Sequence, residues 1–114
     1  MTLLNACLKY NRAFERVKKS YPVMEDRHLI KTLQVINLAC EDREGVCSFH
    51  DIRMIFRSFR LSRVDTVISR EIGNLVEMGF VVRKEHGRRF QYYVTMQGIL
   101  LLNDFEKALK AVRV

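Results

Sequence analysis

The sequence predicts a single, mainly α-helical domain carrying one small β-hairpin, with a helix at each end. Three observations point there. The chain has 114 residues, 48% of them apolar, which is one domain's length with enough apolar side chain for one core. Its 5 glycines and 1 proline are too few turn residues for a sandwich of many short strands. Apolar residues recur at helical spacing along most of the chain, and the period becomes that of a strand only near residues 80–94. Charged residues, 29% of the total, are interleaved with apolar ones, which argues against disorder.

Residues 2–19 read as the first helix, because Leu3, Cys7, Tyr10, Phe14 and Val17 line one narrow stripe. Pro22 ends it and restricts Tyr21 before it. A second helix over about 24–42 has apolar residues around much of its circumference, from Leu29 and Ile30 to Ala39 and Cys40, the mark of a central helix. Gly45 then suits a helix stop or a turn. Ser48 followed by Asp51 reads as a capping box opening a short helix, with Phe49, Ile52, Ile55 and Phe56 inward. Ser62 followed by Asp65 reads as a second start of the same kind. The helix over 63–78 should bury Val64, Ile68, Ile72, Leu75 and Val76 and end at Gly79. Phe80–Glu85 and Phe90–Val94 are β-prone runs around a basic tip, His86 to Arg89. Phe90, Tyr92 and Val94 should share one face. Thr95 caps a last helix over 96–113, with Leu102, Phe105, Leu109 and Val112 in register.

The formal charge is +7, which favours a polyanionic partner. No run approaches a membrane span, and the N-terminus lacks an export pattern. Three cysteines are an odd number at low density, so a cytoplasmic location is expected. His28, His50 and His86 are scattered, and no protease, dithiol or phosphate-loop motif occurs. Cys40, Cys47 and His50 are poorly spaced for zinc and lack a fourth ligand. Cys7 and Cys40 fall at apolar helix positions, which favours inert packing over redox sensing. No enzyme activity, cofactor or metal is expected.

Short helix, turn, longer helix, hairpin and final helix form the order of a winged helix–turn–helix. The stretch from Ser62 to Val81 resembles the recognition-helix segment of MarR-type winged-helix regulators, with its polar start and its Leu75-x-x-x-Gly79-aliphatic close. The sequel from Val82 to Gly98 is similar to that family's wing and to the Thr-x-x-Gly that starts its last helix. The resemblance covers roughly residues 48–98 and is architectural elsewhere. The link from Arg57 to Leu61 is longer and more basic than the family's turn, and its wing aspartate has no obvious counterpart. The family implies one domain over 1–114. Residues 24–95 would be the helix–turn–helix core and wing, and 1–21 and 96–114 dimerisation helices.

In the resembled fold the second helix enters the major groove, where exposed polar side chains meet base edges. Burying Ile68, Ile72 and Leu75 turns Arg63, Thr66, Ser69, Arg70 and Asn74 outward, with Ser62 at the helix start. Arg57 and Arg60 make the turn basic. Over 53–70, Arg53, Arg57, Arg60, Arg63 and Arg70 stand against Asp65, a net +4. The wing residues Arg83, Lys84, His86, Gly87, Arg88 and Arg89 would lie along flanking backbone or the minor groove. Phe49 and Phe59 are assigned to the core rather than to stacking on bases. The terminal stripes, Leu3, Cys7, Tyr10 and Phe14 with Leu102, Phe105, Leu109 and Val112, would form a homodimer. The expected partners are therefore double-stranded DNA and a second copy, with an unidentified small-molecule effector as a further partner that the resemblance allows. The expected role is sequence-specific transcriptional regulation. A winged-helix module that docks on an acidic protein, or a DNA-binding accessory protein of replication or a mobile element, remains open as the alternative.

Overall fold

A computed structural model describes residues 2–59, 61 and 63–113. Eight elements follow in order: α1 (Leu3–Ser20), α2 (Arg27–Asp42), β1 (Cys47–Ser48), α3 (Phe49–Ser58), α4 (Asp65–Glu77), β2 (Val81–His86), β3 (Arg89–Val94) and α5 (Met96–Ala111). The chain is mostly helical with a small antiparallel sheet, as expected, and no described helix is long and apolar enough to cross a membrane. The sheet has a third strand that the sequence did not announce. Its order is β1-β3-β2, with Cys47 opposite Tyr92 and Ser48 opposite Gln91. Two residues are too few to show an alternating pattern, so only the pairing with β3 identifies them as a strand.

Local chemistry explains most boundaries. Thr2 caps α1 by accepting from the Asn5 N–H at 3.1 Å. Pro22 lies just past its end, with Met24 N bonded back to Tyr21 O. The second helix begins at Arg27 rather than near 24, because Asp26 takes the cap position and accepts from the His28 N–H. Ser48 and Asp51 form the reciprocal capping box on α3. Partial burial opposes ionisation of Asp51, but its bonds to the Ser48 backbone and hydroxyl, with Arg43 and His50 nearby, hold the carboxyl below its usual range.

The second expected start signal is corrected. Val64, not Ser62, is the N-cap of α4, and no side chain caps that end; Ser62 and Arg60 lie outside the described residues. As a cap residue Val64 is exposed rather than buried. The far end of α4 closes as expected. Phe80 N bonds to Leu75 O and Gly79 N to Val76 O around a left-handed Gly79 at φ +84°.

The core runs along α2, which packs on α3, α4, α5 and the sheet, while α1 lies mainly against α5. Ile30, Leu33, Ile36, Ile52, Ile68, Leu75, Leu101 and Phe105 are all fully enclosed. Phe56 also fills the core, whereas Phe59 stays out of it and is 62% exposed. Its backbone closes the last turn of α3 by bonding to Ile55 O, and its side chain lies beyond the packed stripe.

Candidate nucleic-acid interface

The α4 helix buries Ile68, Ile72 and Leu75 and leaves Thr66, Ser69 and Arg70 exposed, as the helical period requires. Asn74 is half-buried. Arg63 departs from expectation. It stands before the first helical turn, so the period of α4 does not fix its direction. Its side chain is only 19% exposed and its Nε faces Glu71 Oε1 at 3.5 Å. Glu71 is buried, and its other oxygen accepts from Thr32 Oγ1 on α2 at 3.0 Å. The Arg63–Glu71 contact is an ion pair without a well-formed hydrogen bond to Oε1. It ties the approach to α4 onto the body.

Arg53 on α3 is likewise engaged, with Asp65 Oδ2 at 3.2 Å and His50 Nδ1 at 3.0 Å. Of the described arginines in the basic stretch, Arg57 and Arg70 are the exposed ones without a described carboxylate partner. Sequence reasoning counted Arg53 in the charge but missed its role as the bridge from α3 to α4. An Asp twelve residues on gives no periodic signal.

The hairpin is bare. Every residue from Arg83 to Phe90 is exposed. Its strands run one residue further toward the tip than expected, so His86 pairs with Arg89 and only Gly87 and Arg88 turn. Gly87 has φ +64° and Arg88 has no positive φ, the pattern of a hairpin turn with glycine at its first central position. Arg83 lies over the Phe90 ring at 5.0 Å and Lys84 over the Tyr93 ring at 5.4 Å. These contacts stiffen the stems of both cations and leave their charge unneutralised. Tyr92, on the same face as Phe90, reaches the core, whereas Phe90 stands too far along the hairpin to do so. A cavity of about 400 Å³ between α3 and β3 has His50 and Arg53 on one wall and Arg89 and Phe90 on the other.

The terminal stripes are divided. Phe14, Phe105 and Val112 are buried within this chain, and the Tyr10 ring meets Phe105 edge-on at 4.9 Å. Leu102 and Leu109 are half-buried against the same core. Leu3 and Cys7 are exposed, together with Leu4 and Leu8. On α5 the large exposed apolar residues are Met96, Ile99 and Leu100. A cavity of about 480 Å³ beside α1 is lined by Leu3, Cys7, Tyr10, Arg27, His28 and Lys31, among others. Burial pushes the Tyr10 hydroxyl up to about 12, against the pull of Arg27 and Arg63, and it donates to Arg27 O. Cys40 and Cys47 come together at 3.4 Å, while His50 turns to Arg53 instead.

No protein-family model matches the sequence, and no curated protein matches it.

Proposed function

We propose that the chain is a winged helix–turn–helix protein of the MarR type that binds double-stranded DNA as a homodimeric transcriptional regulator. In this reading α3 and α4 are the helix–turn–helix, α4 enters the major groove, and the β2–β3 hairpin is the wing. The observation that carries it is one continuous run of structure. A helix exposing Thr66, Ser69 and Arg70 passes through Gly79 into a hairpin whose four cations have no described carboxylate partner. The sheet order β1-β3-β2, with β1 just before α3, supports the same topology.

Roles follow from exposure. Arg70, with Thr66 and Ser69, reads bases; Arg57 and the hairpin cations contact phosphates. Arg63 acts indirectly, by holding the entry to α4 against α2. The second copy would cover the exposed apolar residues of α1 and α5 rather than Phe14, Phe105 and Val112, which are already enclosed. A small-molecule effector would find its volume in the cavity beside α1.

The test is fluorescence-anisotropy binding to a random duplex pool at two salt concentrations, with sequencing of the bound fraction. Salt-sensitive binding that enriches an inverted repeat is the expected result. Arg70→Ala should change the preferred sequence. Arg88→Ala and Arg89→Ala should weaken all sequences alike, each lowering the salt slope by about one. Binding without enrichment would move the reading to an accessory DNA-binding role. No binding at low salt would overturn it in favour of docking on an acidic protein.

A further inference from the structure

Cys40 lies in the last turn of α2 and Cys47 on β1, and their Sγ atoms are 3.4 Å apart. Both are buried, whereas Cys7 is exposed. A disulfide holds its sulfurs at about 2.05 Å, so closure requires an approach of only about 1.4 Å. The segment joining them lies at the surface, with Arg43 N and Gly45 N bonded back to Cys40 O. Residues 41–46 are all exposed, and Glu44 takes a left-handed φ of 60° that a non-glycine residue adopts at a cost. A reagent would reach the pair through local opening of this turn, which parts the two bonds to Cys40 O and leaves the rest of the core in place.

We propose that Cys40 and Cys47 are a redox dithiol that closes an intramolecular disulfide when the chain meets a peroxide or a low-molecular-weight disulfide. The inference is independent of DNA binding. Cys40 is the attacking sulfur, because it adjoins the exposed turn and is the less enclosed of the two, 5% against 2%. As a thiolate it accepts the Cys47 S–H, which holds it below the usual thiol range against the opposing effect of burial. The same bond, with burial, pushes Cys47 up. The Cys40 thiolate attacks one peroxide oxygen, the O–O bond breaks, and the other oxygen leaves as hydroxide and takes up a proton to become water. Cys47 Sγ then attacks the resulting sulfenic sulfur, the S–S bond forms, and the hydroxyl leaves as a second water with the Cys47 proton. Two thiols and one peroxide become one disulfide and two waters; the sulfurs lose two electrons and the peroxide gains them. With a disulfide reagent, Cys40 displaces one thiol and Cys47 the other. The product staples the end of α2 to the strand that leads into α3.

The test oxidises the reduced full-length chain with hydrogen peroxide or oxidised glutathione, then denatures it, labels remaining thiols with maleimide and maps the peptides. All three cysteines should label before oxidation; afterwards neither Cys40 nor Cys47 should label and their peptides should be joined, whether or not the exposed Cys7 has itself been capped by the oxidant. The melting temperature should rise by roughly 5–15 °C and return on reduction. C7S, which leaves the pair intact, should behave in the same way, and C40S and C47S should form no intramolecular link. The C7S chain carries the test even where the other variants fail to fold. Full labelling of Cys40 and Cys47 after Cys7 has reacted, linkage between chains only, or over-oxidation of Cys40 without a link would each overturn the proposal.

Discussion

The α3–α4 corner and the β2–β3 hairpin are both rich in arginine, and the fold treats their charges differently. At the corner Arg53 meets Asp65 and Arg63 meets Glu71. On the hairpin Arg83, Lys84, Arg88 and Arg89 have no described carboxylate partner, and two of them rest on aromatic rings. The difference comes from thickness. A helix packed on a core has flanks where a long side chain reaches a neighbouring element, while a two-stranded ribbon beyond Val82 has solvent on both faces. Arg53 and Arg63 therefore hold structure, while the hairpin's cations, like Arg57 and Arg70, remain available to a polyanion.

The comparison breaks or sharpens most strongly on Arg63. Arg63→Ala leaves the enclosed Glu71 carboxyl without its cation, and should destabilise the fold by roughly 3 kcal/mol, the low end for breaking a buried pair. Arg88→Ala should stay within about 0.5 kcal/mol. Urea unfolding of the two variants checks this, and equal losses would erase the distinction. Next in size is Gly98→Ala at the foot of the hairpin. An added Cβ there would meet Phe80 O at 2.5 Å and Val94 Cγ1 at 2.6 Å. One of those atoms is backbone, so a loss of about 2 kcal/mol is expected in the same assay. Ser48→Ala removes one half of the α3 capping box and should cost about 1 kcal/mol.

Gly73→Ala on α4 has the opposite sign. Its Cβ would meet nothing within 4 Å, so better helix propensity should raise stability by roughly 0.5–1 kcal/mol, seen as a higher Tm. The smallest effect is the acid response of Asp51. Its carboxyl is held below the ordinary 3.8, so the folded state favours the ionised form. That contribution is complete at neutral pH and is lost as pH falls below about 4, through the depressed folded value. Asp51→Asn should flatten the stability profile in that window, measured by urea midpoints between pH 2 and 5.

Periodic features were legible in the sequence. The stripes of α2 and α4, the Ser48 capping box, the Gly79 stop and the hairpin all follow from local rules that need no partner. What escaped depended on contacts across the chain. Strand β1 exists because Cys47 meets Tyr92, 45 positions along the sequence in the register of the sheet. Arg63 turns inward because Glu71 and Thr32 lie beneath it, and neither distance shows in a helical period. Phe59 and Val64 occupy caps, where side-chain direction follows the backbone exit and not the stripe. In the candidate interface the exposed hairpin residues and Thr66, Ser69 and Arg70 were readable, because exposure there follows from element type alone.

Thr95 binds three partners at once. Its N–H donates to Phe80 O at 3.0 Å, its hydroxyl donates to Gly79 O at 2.7 Å, and that hydroxyl accepts from Gly98 N at 3.2 Å. The end of α4, the root of the hairpin and the start of α5 thus share one joint with no slack. Tilting the root of the hairpin relative to the end of α4 would part those bonds. A displacement of α5 at its first turn would pull on the end of α4 and the root of the hairpin through the same residue.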